Sequence, residues 1–366
     1  MREYFFIAVI AAALTFVVTP LIRRIAVNIG AVTPVRARDV HSTPIPRLGG
    51  VGILLGFLGA VLAARQLPHL SQIFESSEIL GICAGAILAA AVGAIDDVTE
   101  LDAMTKLAGQ AIAAGVMAWF GVQLLSIPLF GVTVLPAPVL IAITVGISLV
   151  TMNAVNFIDG LDGLATGIVG IASLAFFLYA YQLSYTYDPP NVISTATFVT
   201  AALLGCCLGF LPHNFNPAKL FMGDSGSLLL GLLLSAATIS MVGNIDPSAH
   251  VTRNDELVLY LPIIVPIAIM SIPLLDMGLA VVRRVRRGQS PFKADSQHLQ
   301  HRMLAIGHTH RRAVLLLYFW AAIVAFGVVS FTFVDGFLPI LGIVVLVLVA
   351  VVLTVALPRW LRRTGA

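Results

Sequence analysis

Eleven apolar stretches, most of them close to 20 residues long, follow one another along the 366 residues and are separated by polar connections. No other feature constrains the fold so much. A helix that crosses the hydrocarbon of a bilayer needs about 20 mainly apolar residues. Backbone groups in lipid must be satisfied within the segment, which leaves helices or closed barrels. The stretches show no period-two alternation, which argues against a barrel, and an all-α polytopic membrane protein is predicted. Composition agrees: 59% of residues are hydrophobic and 11% charged, where a soluble chain has about 45–50% and about 25%.

The spans are predicted at 4–22, 48–64, 78–95, 107–121, 137–155, 164–184, 192–211, 225–243, 257–281, 313–333 and 337–357. The split between the last two rests on Val334-Asp335-Gly336 as a tight turn. When the connections alternate between two sides, one side collects 18 of the 21 Lys and Arg residues. The positive-inside bias places that side in the cytoplasm, with the N-terminus outside and the C-terminus inside. The first run lacks a basic lead and a small-residue cleavage site, so it reads as a retained span. Cys83, Cys206 and Cys207 lie in apolar stretches without metal-ligand spacing and read as packing residues. No repeat or low-complexity segment divides the chain. It reads as one membrane-embedded domain, 1–366, with cytoplasmic loops 23–47, 96–106, 156–163, 212–224 and 282–312.

The polar constellations gather on the basic side. Asp96 and Asp97 end the third span in the string GAIDD. Two adjacent carboxylates at the hydrocarbon boundary are costly unless they meet a cation or titrate. They suit a Mg²⁺ site or a proton acceptor, and equally a solvated helix end. The string NAVNFIDGLDGLA at 153–165 places Asp159 and Asp162 three residues apart, on one face of a helical turn, among glycines that admit close approach. In NFNPAKLFMGDSG at 214–226, Lys219, Phe221 and Asp224 offer a cation, a ring and a carboxylate before a glycine turn. That set suits a nucleotide or phosphate, or a plain helix cap. The basic loop 282–312 holds four of the eight histidines between 298 and 310. Imidazolium and guanidinium there suit a diphosphate better than zinc, since no cysteine joins them. Arg47 sits in a further loop, TPIPRLGG, that reads as a phosphate-facing wall or a topogenic turn.

Together these strings resemble the polyprenyl-phosphate N-acetylhexosamine-1-phosphate transferase family. The matching pieces are TPIPRLGG at 43–50, GAIDD at 93–97, NAVNFIDGLDGLA at 153–165, NPAKLFMGDSGS at 216–227, PLLDM at 273–277 and HLQHRML at 298–304. They occur in the family's order. The last is similar to the branch that uses UDP-GlcNAc. One departure stands out: Gln300 occupies a position where the family pattern has histidine. Its amide can hydrogen-bond but carries no charge.

The resemblance implies transfer of GlcNAc-1-phosphate from UDP-GlcNAc to a polyprenyl phosphate, undecaprenyl or decaprenyl, on the cytoplasmic face of a bacterial inner membrane. It implies Mg²⁺, with Mn²⁺ as a substitute. Asp224 is then the principal metal ligand, with Asp97 as a second, and Asp96 or Asp97 deprotonates or orients the lipid phosphate. Asp159, Asp162, Asn214 and Phe221 face the nucleotide, Phe221 by stacking. His298, His301 and Arg302 grip the sugar diphosphate, and Arg47, Lys106 and Asn156 serve phosphate or sugar. An aspartyl-phosphate intermediate is the alternative to direct attack. The family's subunits commonly pair, so a homodimer is allowed; no nucleic-acid partner is expected. Two other readings are the phospho-MurNAc-pentapeptide transferase and, more remotely, a secondary transporter. The second would need charges near mid-span, which are nearly absent.

Overall fold

The computed structural model describes residues 1–33, 44–125, 127–128, 132–133, 135–186, 194–243, 264–288, 299–334 and 336–356. The expected role of His298 and the loop residues 34–43 therefore lie outside the described residues.

Helices account for nearly all of the described chain. In order they are α1 (Arg2–Asn28), α2 (Gly49–Ala64), α3 (Glu78–Thr99), α4 (Ala103–Trp119), α5 (Ala137–Ile158), α6 (Leu164–Thr186), α7 (Thr195–Asn214) and α8 (Gly223–Gly243). Then come α9 (Ser271–Arg286), α10 (Leu299–Ile306), α11 (His310–Ser330) and α12 (Leu338–Val351), the last running into a π turn, Val352–Ala356. Two short antiparallel pairs complete the set. They are β1 (Val32–Thr33) with β2 (Ile45–Pro46), and β3 (Ile127–Pro128) with β4 (Val132–Thr133). Among the described residues eight helices are long and apolar enough to cross a membrane: α1, α3, α5, α6, α7, α8, α11 and α12. This is an all-α, multi-pass membrane protein. Shorter helices stand at the second, fourth and ninth expected spans.

The ninth span departs from a single rod. Residues 264–269 are helical, a turn falls at Met270, and α9 restarts at Ser271. Pro273 has no N–H for the Ile269 carbonyl four residues back, so the ladder breaks there.

α8 forms the centre. Of its most apolar stretch 94% is buried, against 11% for α12, which presents its Val and Leu side chains to lipid. Lipid tails are as apolar as leucine, so burial of α8 gains little from apolarity alone. Close packing of small residues carries the association instead. α3, α5, α7 and α2 surround α8. The ring brings the ends of α3 and α5 and the starts of α4 and α8 to one end of the bundle. The opposite end is tied separately: the Met1 ammonium donates to Tyr181 Oη at 3.2 Å, and Glu3 accepts from the backbone N–H groups of His69 and Leu70.

Candidate active site

The corner between α3 and α4 builds the first half of the site. α3 stops at Glu100, which adopts a left-handed conformation (φ 53°) and donates its N–H to the Asp96 carbonyl. Leu101 N donates to Asp96 Oδ1 at 2.7 Å. Asp102 then caps α4, accepting from Met104 N and Thr105 N at 3.0 and 3.1 Å. Its hydrogen bonds with Thr105 hold its carboxyl below the usual range. This turn is short enough to fold Lys106 back onto Asp96, and Nζ donates to Asp96 Oδ2 at 2.9 Å.

The start of α8 supplies the second half. Lys106 Nζ also contacts Asp224 Oδ2. Asn156, on the last turn of α5, donates to Asp224 Oδ1 and to Ser227 Oγ, the latter at 2.8 Å. Asp97, only 8% exposed, turns away from Lys106 and toward the α8 backbone. Its oxygens accept from Asp224 N at 2.9 Å and Ser225 N at 3.1 Å. It thus acts as an N-cap delivered from another helix, with its charge at the positive end of the α8 dipole. Glycines make this junction possible. A Cβ on Gly93 would sit 2.3 Å from the Asp224 carbonyl oxygen, and one on Gly50 would sit 2.1 Å from Gly226 N. Gly223 has φ +70° and faces the Asp97 carboxylate.

Asp159 lies just beyond α5. Removal from water, then the negative charges of Asp224 and Asp97, push its carboxyl up to about 8, with Arg47 pulling the other way. Asp159 and Arg47 therefore belong electrostatically to the same cluster. Four carboxyl groups there face two cations, Lys106 and Arg47.

The remaining expected residues have other surroundings. Asp162 Oδ2 accepts from Asn216 Nδ2 and Ala218 N at 2.9 and 3.0 Å, and its own N–H donates to His310 Nε2 at 3.0 Å. Asn214, 2% exposed, accepts from Gly163 N and Thr166 Oγ1 and donates to the Leu220 carbonyl. Both side chains brace the loop between α7 and α8. Phe221 pairs through its backbone with Pro46 and Gly49, which joins that loop to β2 and α2. Arg302 is exposed on α10; His301 lies on the same helix, its side chain outside the described residues. Gln300 is 2% exposed, and a Cβ on Gly160 would lie 2.0 Å from its Nε2. The histidine-rich segment thus packs onto the Asp159–Gly163 turn. Ser227 and Tyr318, whose hydroxyl donates to the Gly163 carbonyl, were not singled out from sequence, whereas His310 and Arg284, the latter 5.1 Å over the Phe157 ring, belong to the basic loop marked there. Ser227 and His310 lay inside strings already marked. Tyr318 carried no local signal.

Residues 79–242, which hold both acidic halves of the site, match Glycosyl transferase family 4. A decaprenyl-phosphate N-acetylglucosaminephosphotransferase of Mycobacterium leprae is 44% identical over 339 residues, 91% of this chain and 85% of that protein. The chain belongs to this family. A probable undecaprenyl-phosphate N-acetylglucosaminyl 1-phosphate transferase of Bacillus subtilis is 33% identical over 85% of this chain and 80% of its own. A phospho-N-acetylmuramoyl-pentapeptide-transferase of Desulforudis audaxviator is 30% identical over 85% of this chain and 93% of its own. Family membership covers every string that carried the resemblance.

Metal fit can be judged from the donors. Among the described residues no three Asp, Glu, His or Cys side chains converge into a preformed ligand set. Mg²⁺ does not require one, since it takes one or two carboxylates and completes its shell with water and substrate phosphates. Asp96 and Asp224 meet that need, and the Lys106 ammonium between them marks a seat for positive charge. Both Asp97 oxygens are engaged by backbone N–H groups, so the geometry favours Asp96 over Asp97 as partner to Asp224.

Proposed function

We propose that this protein transfers GlcNAc-1-phosphate from UDP-GlcNAc to a polyprenyl phosphate, giving polyprenyl-diphospho-GlcNAc and UMP. The observation that carries the reading is the junction of Asp96, Lys106, Asn156 and Asp224 at one end of the bundle, in a chain 44% identical to a decaprenyl-phosphate N-acetylglucosaminephosphotransferase. The pentapeptide transferase is the second reading, favoured less because the relative of that name is 30% identical.

In the reaction a lipid phosphate oxygen attacks the β-phosphorus of the donor. The bond from that phosphorus to the bridging oxygen breaks, and UMP leaves with the electron pair. Asp224 and Asp96 would hold a divalent ion, Mg²⁺ or Mn²⁺, which would supply neutralisation of the diphosphate and of the departing UMP. Lys106 and Arg47 hold phosphate charge as it builds. Asn156 and the Asp97 cap fix Asp224, so the carboxylate does not have to be ordered at the moment of reaction. Asp159, Phe221 and the α10 residues His301 and Arg302, with His298, serve the nucleotide and sugar. Direct attack needs no carboxyl-phosphate intermediate.

A cavity of about 560 Å³ supports a lipid acceptor. Ile143, Ile147, Val150 and Thr151 of α5, Ile239 of α8 and Pro266 line it. Thr151 is five residues before Asn156, about 7.5 Å along the helix axis. An isoprenoid chain lying there would bring its phosphate to the cluster without leaving the bilayer. The membrane reading is eleven crossings with the N-terminus outside, placing the site on the cytoplasmic face of a bacterial inner membrane.

The test is transfer of radiolabel from UDP-GlcNAc to added polyprenyl phosphate in membranes holding the protein, with and without Mg²⁺, beside Asp224→Ala. Metal-dependent label in a lipid diphosphate, absent from the variant, is expected. Label arriving only from the UDP-MurNAc-pentapeptide donor would overturn the choice of sugar.

A further inference from the structure

We propose that Lys106 is a built-in rival of the divalent cation: its ammonium holds the seat between Asp96 and Asp224, and the ion must displace it to bind. This rests on the metal-dependent reading above. The argument comes from how the four carboxylate oxygens are divided. Asp96 Oδ1 is taken by Leu101 N, and Asp224 Oδ1 by Asn156. Those bonds fix the two carboxylate planes, and both Oδ2 atoms then converge on Lys106 Nζ. A cation bridging the two acids would use the same pair of atoms. An ammonium and a Mg²⁺ with oxygens at about 2.0–2.1 Å cannot share them.

Exchange is mechanically open. The Lys106 side chain is 17% exposed and that of Asp224 27%, so water and ions reach the pair from one side. A lysine is a compact charge on a flexible four-carbon stem, able to leave without moving α4. The Asp102 cap holds the backbone of the first turn and the Thr105 hydroxyl, and not the Lys106 side chain. The arrangement offsets part of the charge of two apposed carboxylates with one ammonium and makes metal affinity the difference between two cations.

Two measurements on the detergent-purified full-length protein, without substrate, test the proposal. The first is Mn²⁺ binding followed by electron paramagnetic resonance. Lys106→Gln is expected to bind Mn²⁺ about tenfold more tightly than wild type, equivalent to about 1.4 kcal/mol. Equal or weaker binding by a variant that still unfolds cooperatively would overturn the proposal. The second needs no variant. The chain has three lysines, Lys106, Lys219 and Lys293, so amine acylation read by mass spectrometry has two internal references. Saturating Mn²⁺ is expected to raise labelling of Lys106 relative to the other two. Unchanged or reduced labelling with Mn²⁺ bound sinks the displacement while leaving the metal reading intact. Absence of Mn²⁺ binding in both wild type and variant would overturn the metal reading and this inference together.

Discussion

Alanine at Gly93 asks whether the carboxylates work only with α3 and α8 in backbone contact. Gly93 lies one helical turn before Asp97 and faces the first turn of α8. A methyl there would stand 2.3 Å from the Asp224 carbonyl oxygen and 2.4 Å from Ser225 N. These are backbone atoms, so no rotamer change relieves the clash. Opening the nearest contact from 2.3 Å to 3.0 Å, the least that real Cβ atoms show, separates the helices by 0.7 Å. The same displacement added to the Asp97 bonds at 2.9 and 3.1 Å takes them to about 3.6–3.8 Å, outside hydrogen-bond range. Loss of such a cap costs about 1–2 kcal/mol, and alanine's better helix propensity returns about 1 kcal/mol. Net stability should therefore change little. Misplacement on the order of 1 Å at reacting groups costs about 10²-fold in rate, and Asp224 moves with α8. The expected result is a folded protein with radiolabel transfer reduced about a hundredfold. Gly115→Ala is the control, because a methyl there meets nothing within 4 Å; it should transfer label like wild type. Full turnover by Gly93→Ala at normal thermal stability would refute the idea that this contact sets the site.

Three further outcomes follow from the geometry. Asp97→Ala removes the cap of α8 and should lower stability by about 1–2 kcal/mol in detergent unfolding, whereas Asp97→Asn, which still accepts hydrogen bonds, should lose less. Gly160→Ala presses first on the far end of the Gln300 side chain, so its effect on transfer should shrink in a Gln300→Ser background. A double-mutant cycle measures this, and a coupling under about 0.5 kcal/mol would contradict the contact. Asp159 has a folded-state carboxyl near 8 and an unfolded value of about 3.9, so between these the folded state keeps a proton that the unfolded state has lost. Stability should fall as pH rises from about 4 to about 8, and Asp159→Asn should flatten that slope in thermal unfolding followed across pH.

The helices were legible because apolar runs of membrane length admit little else. The segments that meet at the site were legible as well, because Asp, Asn and Gly gather in distinct strings at the predicted helix ends. What each side chain touches was not. Asn214 read as a nucleotide contact, and nothing in its string showed that its amide also satisfies Gly163, Thr166 and Leu220. A buried amide beside a chain reversal serves either purpose, and only the distances decide. Ser227 was missed because its partner, Asn156, lies 71 residues away. The turn at Met270 was hidden inside a long apolar run, although Pro273 and its missing N–H were in plain view.

The doublet Asp96-Asp97 explains why two acids stand side by side where one would suffice to hold an ion. Successive residues on an α-helix point about 100° apart, so neighbouring carboxylates cannot serve the same partner. Here Asp96 faces α4 and its lysine, while Asp97 faces the α8 backbone. One acid holds charge and the other holds position. Because both spring from the same turn of α3, the Lys106 ammonium and the α8 N-terminus are referenced to one rigid element. Asp224, carried on the first turn of α8, is placed against Lys106 by the acid that never touches it. The division also predicts the kind of damage each substitution does. Loss of Asp96 removes charge from the seat. Loss of Asp97 leaves that charge in place but unfastens the helix that brings Asp224 to meet it.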